Sequence, residues 1–516
     1  MAFQSILSSN SKKIICRSKA LVYLALSMLC LINTACIKKL NLYESDKDDE
    51  NGKNKVNERT VVCETDFFYP FDKEAKQIKT QITIHTHNKL PENIANMRAE
   101  IPPLKYNKSW LFMLTQDDCK QVAFCCTWAA INGQPLSNAY FYDLVHVQED
   151  DFPPDAYYLG KTLGCTDGAK NEVRFSFTTT LSPEWEYMDG TTKVGKGYTE
   201  NYHRFSMKSG LFWGNVKEML NYGIGIAIHD LKIDKDDKNN EAVVLSHLDI
   251  ANNIILDKLG RNCKMLARPD GNDTYINAGQ KYAPIQTMTK ESGGFKLYPS
   301  QSMDLFKAAI ERSFYNSSSE ETDKRSNQER IQEAILEELS KPESERSAIY
   351  VGVHGTNRGW VDFLLWLNDN YGKDGADNMW MPNQEEYFEY AYYRRHAWIS
   401  PRRVDDYTLE LSIDLPGDEA FYYPSVTINL SGINMENISS IDTDDNITGF
   451  SYADCKEKEC VMLNIDCRKY LTEHAENFVK RYEANPTVKA NKADALYFVN
   501  MLKDSDKKEE LKKRIE

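Results

Sequence analysis

The segment "WGNVKEMLNYGIGIAIHD", residues 213–230, decides the fold because it joins the two kinds of secondary structure that alternate along the chain. Its first part has the pattern of a helix that ends at Gly223, and "IGIAIHD" has the pattern of an apolar strand that ends at His229. Further helix and strand patterns follow in "AVVLSHLDIANNIILDKLG", "CKMLARP" and "SAIYVGVHG". This alternation across residues 110–400 predicts an α/β domain with a largely parallel sheet.

Two β-rich segments and a helical tail flank this region. Residues 59–109 contain the alternating segment "IKTQITIHTH" and predict a small β-rich lead-in. Residues 401–470 contain "YTLELSID", "SVTINLSG" and "CVMLNID", whose period-two alternation predicts an antiparallel β-sandwich. Residues 471–516 predict a helical tail with a charged, exposed end.

The first 58 residues have the pattern of an export signal and a linker. Basic residues precede "ALVYLALSMLCLIN", an apolar run too short to span a bilayer comfortably, and "TAC" follows it. Ala35-Cys36 resembles the end of a bacterial lipoprotein signal, which implies a signal peptide over residues 1–35 and a lipid on Cys36. A non-lipidated export signal or a membrane anchor is the alternative. Residues 36–58 are too polar to bury a core and predict a flexible tether.

Charge and cysteine content exclude some classes of function. The net charge of −14 and the lack of a basic stripe argue against a nucleic-acid partner. Nine cysteines follow Cys36, and none has the spacing of zinc ligands, so we expect no thiolate metal site. Cys455 and Cys460, on either side of "KEKE", are the best candidates for a disulfide.

Polar residues follow four of the predicted strands. They are Asp117 with Asp118, His229, Arg268 and His354. Because the carboxyl ends of parallel strands meet at one edge of a sheet, we expect these side chains to form a site. The adjacent carboxylates raise each other's pKa and cost stability unless a cation or a proton compensates them.

In this order the segments resemble the motifs of the polysaccharide deacetylase family, the NodB-homology domain of carbohydrate esterases. "LTQDDCK" is similar to its first motif, TFDDG, and the helix–Gly–strand–His segment is similar to the second. "ARPDGND" resembles the third motif, Arg-Pro-Pro-aromatic-Gly, and "IYVGVHG" resembles the last. The resemblance implies a distorted β/α barrel over residues 110–400 that removes acetyl groups from a polysaccharide or oligosaccharide with the help of a divalent metal ion.

The resemblance also implies a role for each motif residue. Asp117 would be the general base, Arg268 would orient it, and His354 would be the general acid. Asp118 and His229 would bind the metal, with zinc as the first expectation and manganese, cobalt or nickel as alternatives.

The sequence departs from the family pattern at the metal site. Four residues after His229, where a second histidine is usual, it has Ile233. Asp234, His247 or a water molecule are the candidate replacements. Cys119 stands where the first motif usually has glycine.

An aromatic segment and these departures leave two classes of function open. Trp380, Tyr387 and Tyr390 belong either to a helix packed on the barrel or to a wall on which sugar rings stack. The leading hypothesis is a metal-dependent glycan deacetylase, exported and lipid-anchored in the cell envelope, periplasmic or surface-exposed. The alternative is a glycan-binding or structural surface lipoprotein that keeps the fold with a degenerate metal site.

Overall fold

The computed structural model describes residues 58–72, 77–195, 202–206, 210–315, 325–418 and 420–516. The predicted signal peptide, Cys36 and the tether up to residue 57 lie outside these ranges. Within the described ranges, no helix is both long enough and apolar enough to cross a membrane.

Strands and helices alternate through the middle of the chain. The described strands are β1 (Glu58–Val62), β2 (Gln77–Thr86), β3 (Arg98–Glu100), β4 (Trp110–Gln116), β5 (Gly164–Thr166), β6 (Glu172–Arg174), β7 (Thr178–Leu181), β8 (Thr191–Gly195), β9 (Gly225–Ile228), β10 (Met265–Ala267), β11 (Thr287–Lys290), β12 (Ala309–Glu311), β13 (Ile349–Val353), β14 (Met379–Trp380), β15 (Trp398–Arg403), β16 (Thr408–Pro416), β17 (Ser425–Ser431), β18 (Ile438–Thr443), β19 (Gly449–Cys455) and β20 (Cys460–Asp466). The described α-helices are α1 (Ala129–Ile131), α2 (Leu144–Glu149), α3 (Trp213–Asn221), α4 (Glu241–Leu259), α5 (Asp273–Lys281), α6 (Asn327–Leu339), α7 (Arg358–Tyr371), α8 (Gln384–His396), α9 (Leu471–Ala484), α10 (Lys489–Met501) and α11 (Asp506–Ile515).

Eight of the described strands form a curled parallel sheet. Its order is β12-β11-β10-β9-β7-β4-β13, and β14 pairs with the first residues of β4. Beyond β12, Ser313 bridges Val351 of β13, so the two ends of the sheet meet. Every residue of β4 is buried, as expected for a strand covered on both faces. The parallel sheet confirms the predicted α/β class.

Helix α8 closes the amino-terminal end of this curled sheet. The side-chain amide of Gln384 donates to the Thr287 hydroxyl at 2.7 Å and to the Met288 carbonyl at 3.0 Å. The next residue, Glu385, is fully buried and pairs with Arg261 at 2.7 Å. A buried charge is costly unless it is paired, so this ion pair fixes the position of the first turn of α8.

The aromatic residues of the predicted sugar-stacking wall are core residues. Trp380, Tyr387 and Tyr390 are 2, 3 and 1 % exposed, respectively. The Tyr390 hydroxyl donates to the Pro102 carbonyl at 2.8 Å, and its ring contacts Trp380 edge to face. Because these rings are covered by the protein, they pack α8 in place and do not present a face to a sugar.

Two antiparallel four-stranded sheets pack beside the curled sheet in the described part of the chain. Their orders are β15-β16-β2-β18 and β19-β20-β17-β3. Their buried faces share one apolar cluster that includes Ile84, Leu411, Ile428 and Leu463. Strand β2, from the predicted lead-in, lies between β16 and β18, both from the predicted sandwich region. A chain ending at residue 400 would therefore leave β2 without either neighbouring strand.

The remaining C-terminal residues form helices α9, α10 and α11, and Phe478 and Phe498 join the apolar core of the curled sheet. The candidate disulfide residues Cys455 and Cys460 lie opposite each other in the register of β19 and β20, and both are free thiols.

Because β2 is the central strand of its sheet, its buried side chains should be important for stability. Ile84 is 0 % exposed and lies opposite Leu409 and Ile441. We expect Ile84→Ala to lower the unfolding free energy by about 2–5 kcal/mol, because it removes buried methyl groups and leaves a cavity. Gln81→Ala, on the exposed face of the same strand, is the matched control and should change it by less than about 0.5 kcal/mol. Chemical denaturation measures both; equal losses would contradict the placement of β2.

Candidate active site

Asp117 follows β4 and is compensated by an arginine. Its carboxylate is 1 % exposed and accepts two hydrogen bonds from Arg312, Nη1 and Nη2 each lying 2.7 Å from one carboxylate oxygen. Its backbone N–H donates to the Val353 carbonyl of β13 at 2.8 Å. A two-bond contact of this kind fixes the orientation of a carboxylate.

The next residue, Asp118, turns away to different partners. Its φ is +66° and that of Cys119 is +49°, a left-handed conformation that glycine adopts most readily. Asp118 is half-buried and forms an ion pair with Lys120 at 2.9 Å. The adjacent carboxylates are thus separated, one on a buried arginine and one on a partly exposed lysine.

His229 follows β9 and faces both carboxylates. Its Nδ1 is 3.0 Å from the Ala267 carbonyl and donates to it, so in the neutral imidazole the lone pair is on Nε2. Nε2 lies 3.8 Å from Oδ1 of Asp118 and 3.9 Å from Oδ2 of Asp117. These distances are too long for hydrogen bonds, so the lone pair is available to another group.

Asp230 completes a group of three potential metal ligands. One ligand atom each of Asp118, His229 and Asp230 lies within 4.8 Å of the others. Burial raises the pKa of the Asp230 carboxyl, and the neighbouring Asp118 charge raises it further, while His229 lowers it. The Ser182 hydroxyl donates to Asp230 at 3.2 Å. Two carboxylates and one imidazole with a free lone pair are donors that a divalent cation accepts.

Neither of the predicted replacements for the second histidine belongs to this group. Asp234 is exposed in the loop before α4. His247, on α4, has its Nδ1 2.6 Å from Oε2 of Glu184. In the family motif the second histidine follows the first by about one helical turn. No helix follows His229 directly here, because the chain after β9 is a loop until Glu241. Asp230 was missed although an acid directly after the strand-end histidine is visible in the sequence.

The prediction that Arg268 orients Asp117 is wrong. Arg268 follows β10 and binds Glu291 through Nε and Nη2, at 2.9 and 2.5 Å, and Asp273 through Nη1 at 2.6 Å. The other carboxylate oxygen of Glu291 accepts from Arg312 at 3.2 Å. Arg268 therefore reaches Asp117 only through two intervening side chains, and the acids on either side of it hold it there.

Arg312 is a second site residue, after Asp230, that sequence reasoning missed. It is 0 % exposed and directly follows β12, at the same edge of the sheet as the other site residues. Strand β12 has only three residues, so its apolar pattern is too short to recognise. An arginine immediately after a short apolar segment was the only signal.

His354 directly follows β13 and is exposed. Its ring centroid lies 5.0 Å from that of Phe314. The residue before it, Val353, accepts the hydrogen bond from the Asp117 N–H, so His354 is at the same edge as the acid pair. This position was expected from the end of the apolar strand.

A parallel curled sheet with acids, histidines and an arginine at its carboxyl edge is the architecture of a deacetylase-like β/α fold. A family model described as "Putative polysaccharide deacetylase" matches residues 80–516, so the chain belongs to this polysaccharide deacetylase family. The match confirms the family that the motifs indicated, and it includes β2 and the C-terminal helices as well as the curled sheet. No curated protein is similar enough to the chain to count as a match.

The ion pair between Arg312 and Asp117 should contribute more to stability than the contacts of Arg268. Arg312→Ala would leave a carboxylate buried without its cation, which costs about 3–5 kcal/mol. Arg268→Ala removes hydrogen bonds from Glu291 and Asp273, whose side chains are 29 and 61 % exposed and can be solvated, so we expect a loss of about 1–2 kcal/mol. Chemical denaturation of the two variants measures this difference. A larger loss for Arg268→Ala would contradict the assignment.

Proposed function

We propose that this protein hydrolyses acetyl groups from a glycan in a metal-dependent reaction. The observation that carries the proposal is the grouping of Asp118, His229 and Asp230 next to an arginine-bound Asp117. Membership of the polysaccharide deacetylase family supports the class of substrate, an acetylated polysaccharide or oligosaccharide.

In this proposal Asp118, His229 and Asp230 hold one divalent cation. When bound, such a cation lowers the pKa of a water molecule and polarises a carbonyl oxygen. Zinc is the first cation to test, followed by manganese, cobalt and nickel. Two carboxylates and one imidazole are a harder donor set than one carboxylate and two imidazoles, which favours manganese more than the usual family site does.

The protein's own groups supply the proton transfers. Asp117 accepts a proton from the attacking water at a carboxylate oxygen, while Arg312 holds the carboxylate in its orientation. The water oxygen forms a bond to the acetyl carbon, and the bond to the sugar nitrogen or oxygen breaks. His354, in its protonated form, gives a proton to that leaving atom, so that acetate and a free amine or hydroxyl are the products.

We also propose that the protein is exported and held at a membrane of the cell envelope by a lipid on Cys36. Support comes from the basic segment, the short apolar run, Ala35-Cys36 and the polar linker that follows. Cys36→Ser should move the protein from the membrane fraction to the soluble fraction, as measured by fractionation and immunoblotting. Cys30→Ser, inside the apolar run, is the matched control and should remain membrane-bound. Retention of Cys36→Ser with an uncleaved N-terminus would indicate a membrane anchor instead.

The second candidate is a glycan-binding or structural surface protein without catalysis. Two departures favour it: an aspartate, not a second histidine, completes the metal-ligand group, and Cys119 stands in the left-handed position where the family motif has glycine. This candidate predicts glycan binding without release of acetate.

Metal content and turnover distinguish the two candidates. Asp230→Ala and the double variant Asp118→Ala/His229→Ala should lose the bound cation, because they remove its ligands. Asp117→Asn should keep the cation and lose acetate release by about two to four orders of magnitude, because it removes the general base. Asp234→Ala is the matched control for Asp230→Ala and should keep both. Elemental analysis after loading with each cation, and acetate assays on acetylated oligosaccharides, give the two readouts.

A wild-type protein that binds none of the four cations and releases no acetate would overturn the deacetylase proposal. Loss of the cation in Asp234→Ala but not in Asp230→Ala would overturn the ligand assignment alone.

A further inference from the structure

A second polar cavity lies at the end of the curled sheet opposite the candidate active site. Its volume is about 130 Å³. Its lining includes Ser176 and Gly223, each two residues before a strand of the curled sheet, together with Ser425 and Asp466 of the antiparallel sheets and Tyr497 of α10. The metal-ligand group follows the carboxyl ends of β4 and β9, so the two sites are separated by the length of the strands. The cavity has room for on the order of ten water molecules.

The charges that line the cavity compensate one another. Lys105 pairs with Glu386 at 2.7 Å, and Arg468 pairs with Asp466 at 2.7 Å. Arg174 lies 3.4 Å from Glu172. The described lining therefore offers an anionic ligand no uncompensated cation.

The lining also contains polar groups that have no partner among the described residues. The Tyr106 hydroxyl and the Asn500 amide make no side-chain hydrogen bond within the described ranges. The rings of Tyr222 and Tyr497 form part of the wall, but both are 8 % exposed and Arg174 stacks on Tyr497, so they offer no free face to a ligand. Hydrogen-bonding groups without a partner in a cavity form the kind of site that binds a small polar molecule.

The backbone of Tyr106 has a conformation that residues other than glycine rarely adopt. Its φ is +59° and its ψ is +23°, in the left-handed region. The backbone N–H of Tyr106 donates to the Thr427 hydroxyl at 2.8 Å, and the amide of Asn107 donates to Asn429 at 2.8 Å. Such strain persists only where surrounding contacts enforce it, and it is common at ligand sites.

We propose that this cavity binds a neutral, hydroxyl-rich ligand of about monosaccharide size, such as one sugar unit of a glycan, at a site separate from the active site. The compensated charges disfavour an anionic sugar, while the unpartnered hydroxyl of Tyr106 and amide of Asn500 can bond to sugar hydroxyls. The site would hold a glycan without taking part in hydrolysis, so the proposal does not depend on the deacetylase activity.

The test is titration of the full chain with glucose, galactose, mannose and N-acetylglucosamine, monitored by calorimetry and saturation-transfer NMR. We expect at least one of them to bind with a Kd in the millimolar range or tighter. Tyr106→Phe and Asn500→Ala should each weaken binding about three- to tenfold, the usual effect of losing one hydrogen bond. Tyr158→Phe, at an exposed tyrosine, and Asn491→Ala, at another position on α10, are the matched controls and should bind like the wild type.

Two further measurements separate this site from the active site and from simple hydration. Asp118→Ala/His229→Ala should keep its affinity for the sugar, because those residues lie at the opposite end of the strands. Glucuronate should bind more weakly than glucose. The proposal is overturned if no neutral sugar binds at millimolar concentration, if the cavity variants bind like their controls, or if the active-site variant loses sugar binding.

Discussion

The ion pair between Arg312 and Asp117 is the contact on which the site and the closure of the curled sheet both depend. Asp117 follows β4, which lies next to the terminal strand β13, and Arg312 follows β12, at the other end of the strand order. One residue further on, Ser313 bridges to β13. The pair is buried, so its charges are unfavourable unless each finds the other. An arrangement that kept the carboxyl ends of β12 and β4 apart would leave both charges buried and unpaired. The ion pair therefore favours the closed form of the sheet.

The same ion pair determines which of the two adjacent carboxylates is available to bind a cation. Both oxygens of Asp117 accept hydrogen bonds from Arg312, whereas Asp118 forms an ion pair with a partly exposed lysine. A metal ion between the two carboxylates would compete with the buried Arg312 for Asp117 and with the partly exposed Lys120 for Asp118. It would therefore bind to Asp118 and to the residues that follow β9, while each oxygen of Asp117 keeps a second lone pair that can accept a proton.

Much of the fold and part of the site could be predicted from the sequence, and the division has a physical origin. Strands such as β4 and β13 are long, buried on both faces and end at polar residues, so Asp117 and His354 could be located as strand ends. Strands β11 and β12 have four and three residues and carry little apolar signal, which is why Glu291 and Arg312 were missed. The family motif suggested an arginine after β10, but the pairing of Arg268 depends on acids that approach it from other strands. A contact between segments that are distant in sequence cannot be predicted from the local sequence pattern.

The position of β2 was beyond sequence reasoning for a related cause. Its alternation predicts a strand, but any of the later alternating strands is an equally good partner by pattern alone. In the structure it pairs with β16 and β18, more than 300 residues later by the numbering of its partners. The antiparallel sheets are thus assembled from segments that precede and follow the parallel sheet in the sequence, and they pack beside it. This arrangement also explains where the second cavity lies, because it forms at the junction of the curled sheet, the antiparallel sheets and α10, none of which could line it alone.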